Sequence, residues 1–146
     1  MAAKKTWFLI ADAGRARVLE RIGHEKTLQR VDGFDFTHPL PKTSEMVRDR
    51  QPRAFDSVGE GRHAISKGVD PRRAEKEAFA ITLAEVLDDA LAKRSFDALV
   101  VVAPPQMLGD LRLHLSDKLK EVLTRDVALD LTNTPDADIL THVEAA

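Results

Sequence analysis

Cysteine and tyrosine are absent from this chain, and aromatic residues of any kind make up only 5% of its 146 positions. Without cysteine there is no disulfide, no thiolate nucleophile and no cysteine-based zinc site, which fits a reducing compartment. Long apolar runs are missing as well. The one near the start, Trp7 to Ala11, is too short for a signal-peptide core and far too short to span a bilayer. No membrane insertion is expected, and a cytoplasmic location is the default. Nor is there an excess of charge of one sign: the net charge is -2 and the pI about 6.2, so any contact with nucleic acid needs a local patch.

Motif absences narrow the chemistry further. No Gly-x-Gly-x-x-Gly or P-loop occurs, and Gly59-Glu60-Gly61 has no strand immediately before it. None of Ser44, Ser57, Ser66, Ser95 or Ser116 sits in a Gly-x-Ser-x-Gly elbow. The histidines (His24, His38, His63, His114 and His142) have no histidine three or four residues away, the spacing that places two metal ligands on one helix face. No catalytic residue, metal site or cofactor is assigned.

What is present is a single domain, residues 1–146, with 43% hydrophobic and 32% charged residues. Residues 6–11 read as a strand buried on both faces. Asp12-Ala13-Gly14 is a turn, with Gly14 available for a positive φ. Arg15 to Arg21 alternates as a second, antiparallel strand, and Leu28 to Phe36 as a third, where Gly33 signals a bulge or a frayed end. Asp70 and Pro71 open a helix whose apolar stripe runs through Phe79, Leu83, Val86, Leu87, Ala90 and Leu91. Phe96 to Ala103 is a short β-branched strand stopped by Pro104-Pro105. Leu108, Leu111, Leu115, Leu119 and Val122 make one amphipathic helix, Asp126 to Leu131 a fifth strand, and Thr134-Pro135 caps a last helix. The order β-β-β-loop-α-β-α-β-α predicts an α/β fold with a five-stranded mixed sheet, its two late strands parallel. Open edge strands in such a sheet suit a homodimer.

The loop at about 37–69 lacks periodicity and carries Pro39, Pro41 and Pro52 with Gly59, Gly61 and Gly68. Structureless loops this long are usually functional or disordered. From Lys42 to Arg73 there are eight basic residues against five acidic ones, in a chain that is negative overall. The phosphate-contact candidates are Arg48, Arg50, Arg53, Arg62, His63, Lys67, Arg72 and Arg73, with Gly59 and Gly61 giving the loop mobility. The same residues can equally be a solvated loop whose arginines pair with the interleaved acids. Phe55 is the only aromatic there, so base stacking is poorly served. Asp12, at the end of the first strand, could hold a divalent metal as in nucleases of the ribonuclease H type. The fourth strand, however, ends in Ala103-Pro104-Pro105-Gln106 with no second acid, so an Asx turn is the simpler expectation.

Three stretches, Trp7 to Leu19, Asp70 to Phe79 and Leu99 to Leu111, together carry a resemblance. They look like those of the bacterial family of proteins required for attachment to host cells, itself similar to the middle domain of archaeal and eukaryotic peptide-release factors and their ribosome-rescue relatives. The resemblance implies a ribonuclease H-like or release-factor middle-domain-like architecture. It also implies a basic loop reaching the ribosome or structured RNA. Release-factor loops carry a Gly-Gly-Gln tip; here the corresponding region reads Gly59-Glu60-Gly61-Arg62-His63, and peptide release is not carried over. The expected function is therefore non-catalytic RNA or ribosome binding. The alternatives are a protein–protein module in colonisation and, less favoured, a metal-dependent nuclease or esterase.

Overall fold

The structure, a computed structural model, describes residues 3–37 and 71–146. Arg48, Arg50, Arg53, Gly59, Gly61, Arg62, His63 and Lys67 lie outside the described residues, as do His38 and Asp70. Strands β1 (Lys5–Ala11), β2 (Arg15–Ile22), β3 (Gln29–Thr37), β4 (Ala98–Ala103) and β5 (Leu123–Ala128) form one sheet in the order β3-β2-β1-β4-β5. The first three pair antiparallel as a meander; β4 is parallel to β1 and β5 parallel to β4. The mixed sheet and its parallel late strands agree with the expectation from sequence.

Burial explains the order. β1 and β4 lie at the centre with apolar side chains on both faces. Trp7, Leu9 and Ala11 face one layer, where Phe79, Leu83 and Leu87 of α1 (Pro71–Ala92) pack with Met107, Leu108 and Leu111 of α2 (Pro105–His114) and with Leu119 of α3 (Asp117–Val122). Phe8 and Ile10 face the other, covered by Ile139, Leu140 and Val143 of α4 (Asp136–Ala145). Trp7, Phe34, Phe36 and Phe96 form one aromatic group. Trp7 stacks on Phe96 at 4.7 Å and meets Phe34 edge-on at 4.8 Å, while its indole N–H donates to Glu20 at 2.9 Å.

Three expectations need correction. The single helix through Leu108 and Val122 is two helices, because Leu115 turns extended (ψ 137°). Ser116 then caps the second one, its Oγ accepting from the Leu119 amide at 3.1 Å and donating to Asp88 at 2.6 Å. The fifth strand covers Leu123–Ala128 instead of Asp126 to Leu131: it leaves α3 directly, and Leu129 and Leu131 reach the α4-side core from the loop beyond it. The left-handed conformation anticipated at Gly14 occurs at Gly23 (φ +59°) and Gly33 (φ +84°). Gly33 does mark a bulge. The β2–β3 register shifts between Arg17 and Leu19, and this shift turns Phe34 and Phe36 toward the α1 side while Leu28 packs on the α4 side.

The doubly bonded Ser116 cap gives a direct stability test. Ser116→Ala should lower the unfolding free energy by about 1–2 kcal/mol in urea with the m-value unchanged; a loss below about 0.3 kcal/mol would show that the cap does not hold the α2–α3 break.

Candidate functional site at the strand ends

β1 returns through β2 on one side of the sheet, whereas β4 leads through α2 and α3 to β5 on the other. Loops at the carboxyl ends of β1 and β4 therefore diverge, the arrangement in which open α/β sheets bind ligands. Polar and charged side chains gather here, in two groups.

The first group lies at the start of α1. Arg73 holds both carboxylate oxygens of Asp110, with Nη1 donating to Oδ2 at 2.9 Å and Nη2 to Oδ1 at 2.5 Å. Asp110 is buried in the middle of α2 and sits against a cavity of about 150 Å³ shared with Lys76, Ala13, Pro104, Gln106 and Met107. One turn further along α1, Glu77 meets His114 at 2.8 Å, a second clasp between α1 and α2. Arg73 is thus engaged inside the fold. Arg72 is on the exposed first turn and has interactions of its own. These are the two candidate phosphate contacts that fall within the described residues.

The second group surrounds Asp12. The amides of Gly14 and Arg15 each donate to Asp12 Oδ1 at 2.8 Å, which is the Asx turn expected from sequence. The Thr132 hydroxyl lies 2.9 Å from Asp12 Oδ2 and 2.7 Å from Asp130 Oδ1. Arg15 Nη2 donates to the same hydroxyl at 3.2 Å and to Asn133 Oδ1 at 2.8 Å. Burial alone would raise the Asp12 pKa, but the donors from Gly14, Thr132 and Arg15, with the Arg15 charge, outweigh it and hold the carboxyl below its ordinary value. Deeper in, Arg17 is only 8% exposed. Its Nη1 and Nη2 donate to the carbonyls of Thr132 (2.9 Å) and Thr134 (2.6 Å), and its Nε is 2.8 Å from Asp136 Oδ1. That last contact is off the hydrogen-bonding line and acts as an ion pair. Arg30 completes the set, its Nε bound to Asp136 Oδ2 at 2.8 Å and its Nη1 close to Asp35.

Among the described residues, no group of three histidine or acidic side chains could hold a metal ion. Asp12 has no second acid at the end of β4 and spends its oxygens on turn amides and Thr132. No helix of the described residues is long and apolar enough to cross a membrane.

A family model described as "Protein required for attachment to host cells" matches residues 7–143, nearly the full chain. The chain belongs to this family. No curated protein matches it by sequence. In this member of the family, only half of the strand-end cluster is legible in the sequence. The Asx turn at Asp12 was legible; Arg17, Arg30, Asp110, Thr132 and Asp136 were not. One usable signal was Arg17, a charged residue on the same strand face as Leu19 in the middle of a sheet.

Two outcomes check this geometry. Arg73→Ala should lower Tm because it leaves the buried Asp110 carboxylate without its partner, and adding Asp110→Leu should recover most of the loss; a double variant no better than Arg73→Ala would contradict the pairing. The acid limb of stability tests Asp12. A carboxyl whose pKa is lower folded than unfolded adds stability that is full above about pH 4 and is lost as pH falls through the folded value. Asp126, whose carboxyl is lowered chiefly by the Arg112 Nε hydrogen bond at 2.8 Å, acts in the same direction. Urea denaturation from pH 7 to pH 2.5 should therefore show stability falling below about pH 4, with a shallower fall in Asp12→Asn; an identical slope in that variant would count against the Asp12 hydrogen bonds.

Proposed function

We propose that this chain serves host attachment as a non-catalytic binding module whose partner is a protein. The observation that carries this reading is internal charge compensation. Arg15, Arg17, Arg30, Arg73 and Arg112 all hold carboxylates of the same fold. Paired charges cancel each other's field within about a Debye length, roughly 8 Å at physiological salt, so this body attracts a polyanion weakly. The acids at the strand ends are likewise occupied, which supports binding over hydrolysis. A second copy of the chain is one such partner, since β3 is an edge strand of the sheet among the described residues.

A second reading rests on the eight basic and five acidic residues between Lys42 and Arg73: the loop at 37–69 and the first turn of α1 would bind the ribosome or structured RNA. The resemblance to release-factor middle domains supports this reading. Arg48, Arg50, Arg53, Arg62, His63, Lys67 and Arg72 would then contact phosphates.

The two separate cleanly by salt. Tagged full-length protein is used to capture partners from its own cells at low salt and at about 1 M salt, where the Debye length is about 3 Å. The protein-partner reading expects capture to persist in high salt, and to change less than twofold when Arg48, Arg50, Arg53 and Arg62 are all replaced by alanine. RNA or ribosomes in the low-salt eluate, released with a log–log slope near -0.9 per duplex phosphate contact and lost in that variant, would replace it with the second reading.

A further inference from the structure

On the α4 side of the sheet, at the β2–β3 end, lies an open recess of about 230 Å³. It is lined by Arg15, Arg17, Arg30, Asp35, Thr37 and Thr132, with the α4-side residue Ile10 and with Ala16 and Phe36, whose side chains belong to the α1-side core. Three guanidinium groups and one carboxylate thus face the same small space. The other carboxylates that hold these arginines, Asp12 and Asp136, are not part of the wall. They neutralise the guanidinium groups and hold their orientation.

Donor capacity remains. Arg15 and Arg30 have side chains about half exposed, at 50% and 52%. Arg17 is more than nine-tenths buried, and each of its Nη atoms carries two hydrogens but makes one hydrogen bond to a carbonyl. The Thr37 and Thr132 hydroxyls stand in the same wall. Fixed, planar guanidinium forks match a tetrahedral oxyanion better than flexible lysines do, and their ion pairs have already met part of the ordering cost. The recess is too small for a nucleic-acid helix and has room for a phosphoryl group with little attached.

We propose that this recess is a binding site for a phosphate dianion, free or as the head of a small phosphate monoester. Asp35 sets its affinity: it binds Arg30 and places one negative charge beside the ligand. This proposal goes beyond the partner-binding reading and does not rest on it, since the ligand is a small anion and the recess is lined by residues of β1, β2, β3 and the loop after β5.

The test uses the full chain and inorganic phosphate, followed by calorimetry and by amide chemical shifts in ¹⁵N–¹H spectra. Saturable binding is expected, with the largest shifts at Arg15, Arg17 and Thr132. Arg15→Gln combined with Arg30→Gln should weaken it at least about tenfold, whereas Asp35→Asn should tighten it about threefold. Methyl phosphate should compete at similar concentration. Absence of saturable binding in the unaltered protein, shifts confined to other residues, or undiminished affinity in a folded double variant would each overturn the proposal. Should the double variant fail to fold, the Asp35→Asn result decides, because weaker or unchanged binding there contradicts a site ringed by arginines. Protein capture from cells is measured separately, so either result stands whatever becomes of the other.

Discussion

A buried guanidinium governs one rim of this fold. Arg17 lies in β2 beside the apolar centre of the sheet, where an unpaired charge would cost several kcal/mol. The chain meets that demand from a single segment more than a hundred residues away. The loop after β5 supplies two carbonyls, from Thr132 and Thr134, and the first residue of α4 supplies the Asp136 carboxylate. Asp136 also holds Arg30 of β3, so one acid ties the meander to the last helix. The same loop brings Thr132 to Asp12 at the end of β1. Satisfying one buried cation thereby joins β1, β2, β3 and α4 at one rim.

The rest of the architecture places that rim. β1 and β4 are apolar on both faces, and helices on each side cover them. Such strands read plainly from sequence, because continuous apolar runs next to turn residues have few other solutions. Helix α1 was equally legible through its Pro71 start and the Phe79, Leu83, Leu87 stripe. The break at Leu115–Ser116 was not, since an apolar residue every three or four positions continues across it. The extended Leu115 and the Ser116 cap, bonded to the Leu119 amide and to Asp88, distinguish a new helix from a continuing one. β5 was displaced for a related reason: Leu129 and Leu131 are core residues without being strand residues, so burial and extension part company there.

The candidate site shows the same division. A turn aspartate followed by glycine announces its local hydrogen bonds, and Asp12 behaves accordingly. Pairs such as Arg73 with Asp110, or Arg30 with Asp136, join residues 37 and 106 positions apart, and no local pattern encodes them. Counting charges along the chain treats Arg73 as an available cation; in the fold its guanidinium lies flat against a carboxylate. Compensation of this sort separates two properties that charge counting merges. Attraction at a distance depends on net field, which paired arginines lack. Recognition at contact depends on aligned donors, which paired arginines keep and present in fixed orientation. The proposed roles, contact with a protein surface and with a small oxyanion in the recess, follow from this compensation more readily than the gathering of a long polyanion does.

The pairing of Arg17 with Asp136 is the point on which this account turns, and a double-mutant cycle measures it. Arg17→Met, Asp136→Leu and the combined variant would be unfolded in urea at pH 7. The expected result is a coupling of more than about 1 kcal/mol, with the double variant more stable than the sum of the single losses. Additive losses within about 0.3 kcal/mol would mean that the two charges do not depend on each other, and the rim would need another explanation.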